Sequence, residues 1–368
     1  MPKTQETVLE INLNDLKHNF DYLKSKLTAN TKFMAVVKAF AYGNDASAIA
    51  NHLQNLDADY FAVAYTKEGV ALRDAGITKP ILVLHPQPIN FKLLIERCLE
   101  PNLYSPKVFN EFIALAEQEK QVDYPIHIKF NTGLNRLGFW ENDVDFIISK
   151  LKTTSAVKVA SIFSHLAASE DPNEFDFTKT QIKTFKTISA QVSNKLEYPF
   201  LKHLCNTSGI LNYPEAHFDM VRSGIGLYGF GNSKKESEHL TPIASLKSII
   251  SQIHNIEKGE TVGYNRAYQS NGFNKIATIP IGHADGIGRI YGNNQGFVTI
   301  NKKKASIIGN VCMDMIMVDI TNIDCKEGDE VILFNKYISA ELLAESANTI
   351  SYELITSISQ RIKREIIK

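Results

Sequence analysis

Between residues 30 and 225 the chain alternates short apolar runs with longer segments in which apolar residues recur at helical spacing. The runs are FMAVVK (33 to 38), YFAVA (60 to 64), ILVL (81 to 84), NLY (102 to 104), PIHIKF (125 to 130), VKVASIF (157 to 163), FLKHLC (200 to 205) and FDMVR (218 to 222). Punctuated by Gly, Pro, Asn and Asp, they read as buried strands. Segments such as SAIANHLQNL, NFKLLIERCL, PKVFNEFIALAEQEK and TKTQIKTFKTISAQVSNKL read as the helices between them. Eight strand units alternating with helices over roughly 200 residues predict an α/β fold, a (β/α)8 TIM-type barrel. An open doubly wound sheet shows the same alternation, and the count of eight favours the barrel.

After Phe230 the texture changes. GNSKKESEHLTP is polar and rich in turn formers, and beyond it come SLKSIISQIHNI, KIATIPIG, GFVTI, ASIIGNV, MIMVDI and EVILF with few helical stretches between. The expected organisation is a barrel over residues 1–240 and a mostly β C-terminal domain over 241–368, with one helix near SAELLAES. ETVLEINL (5 to 12) is a further strand that precedes the barrel and can pair with the second domain instead.

Composition narrows the partners. With 368 residues and 44% hydrophobic content the chain can bury a large core. Its 40 basic and 40 acidic residues cancel, which argues against capture of nucleic acid or an anionic membrane surface and for a small molecule or a second copy of the chain. The N-terminal stretch lacks a secretory pattern and no segment has the length of a membrane span, so a cytoplasmic location is expected. Cys98, Cys205, Cys312 and Cys325 form no CxxC pair, and neither a disulfide nor a metal site is expected.

In a barrel of this type the strand C-termini carry the site. The polar residues there are Lys38, Lys129, Arg136, His165, His203, Asn206, Thr207 and Arg222. Each alone reads as an ordinary solvated or ion-paired side chain. Together they describe a cationic, carboxylate-poor pocket suited to an anionic ligand. RSGIGLYGFG after the eighth strand adds glycines whose backbone N–H groups can approach a phosphate. A phosphate cradle combined with an amine at the first strand points to pyridoxal 5'-phosphate, whose aldehyde is carried on a lysine.

AVVKAFAYG resembles the pyridoxal-attachment signature of the alanine racemase family, AVVKANAYGHG. KFNTGLNRLG, SHLAASE, HLCNTSGI, VRSGIGLYG, TVGYNRAY, IPIGHADG, GNVCMDMIMVDIT and ISYEL resemble the family's other segments in the same order, over essentially the whole chain. The resemblance implies a barrel followed by a β domain and interconversion of L- and D-alanine, which supplies D-alanine for bacterial peptidoglycan. It implies Lys38 and Tyr264 as the two acid/base groups, Lys38 also anchoring the cofactor. Cofactor contacts are expected from Tyr42, His165, Asn206, Thr207, Arg222, Gly224, Ile225 and Tyr352. Arg222 would face the pyridine nitrogen, and His165, linked to Arg222, would favour the Tyr264 phenolate. Arg136, with the backbone of Met313, would hold the substrate carboxylate, and Lys129 matches a position that is carbamylated in many members. His203, His283 and Asp314 are expected around the pocket or its entrance. A homodimer sharing its active sites between subunits is also implied.

The chain departs from the family pattern at Phe40, Asn44, Asp45, Asn131, Thr207 and His283; Thr207 keeps the hydroxyl of the usual Ser, and His283 stands where the family has an entrance tyrosine. Three other readings share these motifs: a broader racemase acting on serine, lysine or arginine, a pyridoxal-dependent decarboxylase, and a noncatalytic pyridoxal-binding protein. Arg222 speaks against the decarboxylase, which generally sets a carboxylate against the ring nitrogen. The β domain carrying Tyr264 and Met313 speaks against the noncatalytic protein.

Overall fold

The structure is a computed structural model that describes residues 4–368. It divides into two compact units, one comprising residues 17–41 and 46–240, the other the residues up to Leu16, Tyr42–Asp45 and Thr241–Lys368.

The first strand, β1 (Val8–Asn12), belongs to the second unit. The first unit is a closed barrel of eight parallel strands: β2 (Lys32–Val36), β3 (Tyr60–Val63), β4 (Ile81–Val83), β5 (Glu100–Leu103), β6 (Tyr124–Lys129), β7 (Val157–Phe163), β8 (Leu201–His203) and β9 (Met220–Ser223). Closure is made by β2 against β9, which sets Met34 opposite Arg222. The helices form for local reasons. Pro106–Gln118, for example, starts on Ser105, whose hydroxyl accepts the Val108 N–H, and has Pro at its first position, where no N–H is needed. It buries Val108, Phe109, Phe112, Ile113 and Ala116, one apolar stripe at helical spacing.

The sequence pattern extends FMAVVK to Lys38, but β2 ends at Val36. Lys38–Gly43 is instead one helical turn in which Ala39, Phe40, Ala41, Tyr42 and Gly43 all have positive φ (51° to 56° for the first four, 84° for Gly43). A left-handed turn of L-residues costs about 1–2 kcal/mol per residue, so surrounding structure must impose it.

The second unit contains a nine-stranded sheet in the order β11-β14-β17-β16-β15-β18-β10-β1-β19. Its strands after β1 are β10 (Ala244–Ile249), β11 (Gln252–Ile256), β14 (Asn274–Ile279), β15 (Phe297–Ile300), β16 (Lys303–Ile308), β17 (Ile316–Asp319), β18 (Glu330–Phe334) and β19 (Lys363–Ile367). β12 (Thr261–Val262) and β13 (Tyr268–Gln269) make a separate two-stranded ribbon. SLKSIISQIHNI is thus two strands rather than one, because the chain turns at Ile250 and Ser251. Two helices occur near the C-terminus, Ala340–Ser346 and Ser351–Ser357, where the pattern predicts one. Both are seven residues long, a length at which helical periodicity is a weak signal.

Within this unit Arg364 clamps the end of the left-handed turn, donating from Nη2 to the Gly43 carbonyl (2.9 Å) and from Nε to that of Asn44 (3.2 Å). Gly43 combines a φ of +84° with a carbonyl neighbour, Ile355 O, only 1.9 Å from where a Cβ would stand. Gly43→Ala is therefore expected to lower stability by about 3 kcal/mol or more, read as a fall in melting temperature by calorimetry.

Candidate active site

The barrel strands deliver their polar termini to one cluster. Lys129 ends β6, His203 ends β8, Arg222 lies in β9, and Lys38 opens the turn after β2. Lys38, Lys129, Arg136, His165 and Arg222 are close enough that His165 feels the charge of the other four.

Lys38 is held below the ordinary lysine range by burial, then by the Arg136 charge, while Glu68 pulls it back up. Glu68 has a second task. Its Oε1 accepts the Ala39 N–H (2.7 Å), and its Oε2 accepts the N–H groups of Ala64 (2.7 Å) and Tyr65 (3.0 Å). One carboxylate thus ties the start of the left-handed turn to the end of β3 and aims the amine. Sequence reading missed Glu68. The only local signal is an acidic residue at the third position of the helix Thr66–Asp74.

Lys129 is buried, its Nζ lies 5.9 Å from the centre of the Phe163 ring, and among the described residues it has no carboxylate partner. Burial, then Arg136, Arg222 and Lys38, lower it to about 8. Arg136 is exposed, in a loop shaped by Asn131, whose Oδ1 accepts the N–H groups of Gly133 (3.1 Å) and Asn135 (3.0 Å). An aspartate could make both Oδ1 contacts, but Asn131 Nδ2 also donates to Asn135 Oδ1 (2.9 Å), which a carboxylate cannot do.

Arg222 is 4% exposed. Nη1 meets His203 Nδ1 at 2.5 Å, Nη2 donates to the carbonyls of Ser164 (2.7 Å) and Leu204 (3.1 Å), and Nη2 also faces His165 Nδ1 at 3.2 Å. Burial lowers it to about 10, so it stays charged at neutral pH. Burial and then the Arg222 charge hold both His165 and His203 well below the ordinary histidine value. Since a guanidinium only donates, Nδ1 of each neutral ring is the acceptor and Nε2 carries the proton. The positive charge expected near a tyrosine base is therefore that of Arg222, and His165 contributes an Nε2–H donor rather than an imidazolium.

A third group of residues forms a small-residue cradle. Asn206 caps the helix Thr207–Asn212, its Oδ1 accepting from Gly209 N–H (2.8 Å) and Ser169 Oγ (2.9 Å). Thr207 Oγ1 lies 3.0 Å from Ser223 Oγ and accepts the Gly226 N–H at 3.3 Å. A Cβ on Gly226 would stand 2.6 Å from Thr207 Cγ2, so glycine is what lets the turn carrying Gly224 and Ile225 close on this hydroxyl. The donors are hydroxyls and backbone N–H groups, the chemistry that phosphate needs. A lysine amine of reduced basicity, a carboxylate-free arginine and this cradle fit pyridoxal 5'-phosphate.

The remaining predicted residues lie in the second unit. Tyr42 and Tyr352 face each other with ring centres 6.1 Å apart, and burial followed by Tyr352 pushes the Tyr42 hydroxyl upward. Tyr264 sits on the turn between β12 and β13 and is 74% exposed. Asn310 Nδ2 donates to its carbonyl at 3.1 Å. Met313 is 58% exposed, and the N–H groups of His283 and Ala284 donate to the carbonyls of Cys312 (2.9 Å) and Met313 (3.0 Å). Asp314 pairs with Arg361, which also binds Asp285 at 2.6 Å. Tyr264, His283, Met313 and Asp314 are thus held on one set of linked turns.

Residues 11–231 match the family model "Alanine racemase, N-terminal domain", and residues 243–366 match "Alanine racemase, C-terminal domain". The alanine racemase of Halothermothrix orenii is 36% identical over 371 residues, 98% of this chain and 97% of that protein. That of Carboxydothermus hydrogenoformans is 36% identical over 369 residues, 96% and 98% respectively. Among solved structures, alanine racemase from Clostridium difficile 630 matches with a TM-score of 0.92 at 34% identity, covering 99% of this chain and 96% of that one. Alanine racemase from Bacillus anthracis with bound L-Ala-P matches with a TM-score of 0.92 at 29% identity, covering 100% and 96%. Matched along its whole length by these models, relatives and structures, the chain belongs to the alanine racemase family of isomerases.

Proposed function

We propose that this chain interconverts L- and D-alanine with pyridoxal 5'-phosphate, using two acid/base groups on opposite faces of the substrate, and that it supplies D-alanine for bacterial peptidoglycan. The observation that carries the reading is the grouping of Lys38 with Arg136, His165 and Arg222 at the strand ends. When bound, the cofactor supplies the electron sink that makes an amino-acid α-proton removable.

The chain's own residues do the rest. Thr207, Gly224 and Ile225 with Asn206, and Tyr42 with Tyr352, hold the phosphate. Arg222 offers only donors to the ring, which limits how much negative charge the ring can draw in and guards against side reactions. Arg136, helped by the Met313 backbone, orients the alanine carboxylate. The lowered basicity of Lys38 keeps more of its Nζ neutral, able to hold the cofactor and to take or return a proton on one face. Tyr264 serves the other face. Its exposure, with that of Met313, supports a homodimer in which both reach the site of a second copy, where the His165 Nε2–H steadies the phenolate. Among the described residues no helix is long and apolar enough to cross a membrane, in keeping with a cytoplasmic enzyme.

The test is chiral chromatography of L-alanine incubated with the cofactor-loaded protein. D-alanine should accumulate toward an equal mixture, and its absence would sink the proposal. Serine, lysine and arginine in parallel define the breadth that His283 permits.

Lys129 completes the reading. Its amine, set among cations and without a carboxylate partner among the described residues, gains an anion if the neutral nitrogen adds to carbon dioxide and releases a proton, and that carbamate would orient Arg136. With the amine at about 8, only about a tenth is reactive at pH 7 and most is at pH 9. A carbon-13 carbamate signal from labelled bicarbonate should therefore grow as pH rises through that range and vanish in Lys129→Ala. A wild type silent at pH 9 would rule the modification out.

A further inference from the structure

The interior of a barrel of this kind is ordinarily filled by branched apolar side chains. Here an unbroken polar line crosses five consecutive strands. Glu100 opens β5, His127 lies in β6, Ser161 in β7, His203 at the end of β8 and Arg222 in β9. Glu100 Oε2 meets His127 Nε2 at 2.6 Å, His127 Nδ1 meets Ser161 Oγ at 2.6 Å, Ser161 Oγ meets His203 Nε2 at 2.8 Å, and His203 Nδ1 meets Arg222 Nη1 at 2.5 Å. His127, Ser161 and His203 are fully buried, and Glu100 is 9% exposed.

The proton positions follow from the two ends. A guanidinium has no lone pair to offer, so His203 Nδ1 accepts and its Nε2–H donates to Ser161. The Ser161 hydrogen is then directed at His127 Nδ1, and the His127 Nε2–H donates to the Glu100 carboxylate. Every link donates away from Arg222 and toward Glu100. With His127 neutral, reversing its links would set two acceptors against each other at Glu100, and an imidazolium there would make Ser161 Oγ accept twice and strand its hydrogen among fully buried groups, which is costly. Among the described residues Arg222 has no carboxylate in contact, and Glu100 is the anion at the far end of its line. Arg73, Tyr60 and Tyr124 also feel the Glu100 charge, and the Arg73 guanidinium is occupied by the carbonyls of Ile77, Lys79, Arg97 and Cys98.

We propose that Glu100 is a positioning residue for the reaction, acting through His127, Ser161 and His203 to hold Arg222 in one orientation as a donor-only group at the barrel mouth. The proposal rests on the function set out above, in which Arg222 faces the cofactor ring. It assigns work to three residues the site description does not otherwise need, Glu100, His127 and Ser161. A carboxylate is retained in the system but placed where it cannot deliver a proton to the ligand.

The experiment is nitrogen-15 NMR of histidine-labelled protein, with and without pyridoxal 5'-phosphate, for the wild type, Glu100→Gln, Glu100→Leu and Ser161→Ala. In the wild type His127 and His203 should both be neutral rings protonated on Nε2. Glu100→Leu and Ser161→Ala should shift the His203 signals toward a tautomer mixture and lower kcat for alanine about tenfold with KM little changed. Glu100→Gln, whose amide oxygen still accepts, should restore both. Melting curves identify any variant that fails to fold, and Glu100→Gln then carries the comparison by its intact signals. An imidazolium or an Nδ1–H ring at His127 or His203 in the wild type would overturn the proposal. So would unmoved His203 signals and unchanged kcat in a folded Glu100→Leu, or a folded Glu100→Gln that behaves as the leucine variant. A wild type that binds no cofactor and turns over no alanine would instead overturn the functional reading, and the catalytic part of this proposal with it.

Discussion

Lys38→Ala is expected to abolish covalent cofactor attachment and to reduce alanine racemisation by at least about 10⁴-fold, because one side chain serves as both anchor and proton carrier. The fold should tolerate the change. The Lys38 amine is held below its ordinary basicity by burial and by Arg136, so removing it relieves a strained cation rather than breaking a stabilising pair. The melting temperature of the cofactor-free protein should not fall. Borohydride reduction followed by mass spectrometry checks the anchor: wild-type protein should carry the pyridoxyl mass on the peptide containing Lys38, and the variant should carry none. Attachment at Lys129, another buried amine in the cluster, or residual racemisation within tenfold of the wild type would remove Lys38 from its role.

Tyr264→Phe should cost about 10²–10⁴-fold in racemisation, the range for deleting one general acid or base, while leaving cofactor binding intact. The residue is 74% exposed in the single chain, so losing its hydroxyl should move that chain's own folding stability by no more than about 0.5 kcal/mol. The sharper readout is isotopic. With two groups on opposite faces, removing one leaves the other able to take a proton and return one to the same face. In deuterium oxide the variant should exchange the α-hydrogen of one alanine enantiomer without inverting it, and leave the other enantiomer nearly inert. Equal exchange of both enantiomers, or wild-type racemisation, would contradict a two-group mechanism that uses Tyr264.

Both experiments address residues that the sequence alone singles out. Lys38, Lys129, His203 and Arg222 stand at or next to strand ends, and a strand end is a local property of the chain, readable from where an apolar run stops. Tyr264, Met313 and His283 have no such signal. They were found only through collinear motifs, and their grouping on linked turns depends on backbone hydrogen bonds such as His283 N–H to Cys312 O.

Phe40 and Asn44 show where local reading stopped. The apolar run continues through Val37, so the pattern extends the strand to Lys38, yet residues 39 to 43 turn left-handed. No propensity argument selects that conformation for Ala, Phe and Tyr. Asn44, buried and donating to the Tyr42 carbonyl at 3.3 Å, now has a place in that turn, since its own carbonyl is one of the acceptors of Arg364. A histidine at 127 and a serine at 161 were visible as polar interruptions of IHIKF and VASIF, but nothing in either stretch says that they touch.

By itself the sequence determined the eight strand units, the change to β texture after Phe230 and the cationic residues at the strand ends. These depend on periodicity and punctuation within windows of a few residues. Only the tertiary structure decided that Glu68 aims Lys38, that Arg364 clamps the strained turn, and that Arg222 is wired to Glu100. Those contacts join residues 19 to 42 positions apart along the relay and 320 or more apart at the clamp, and chain closure, not local preference, brings them together.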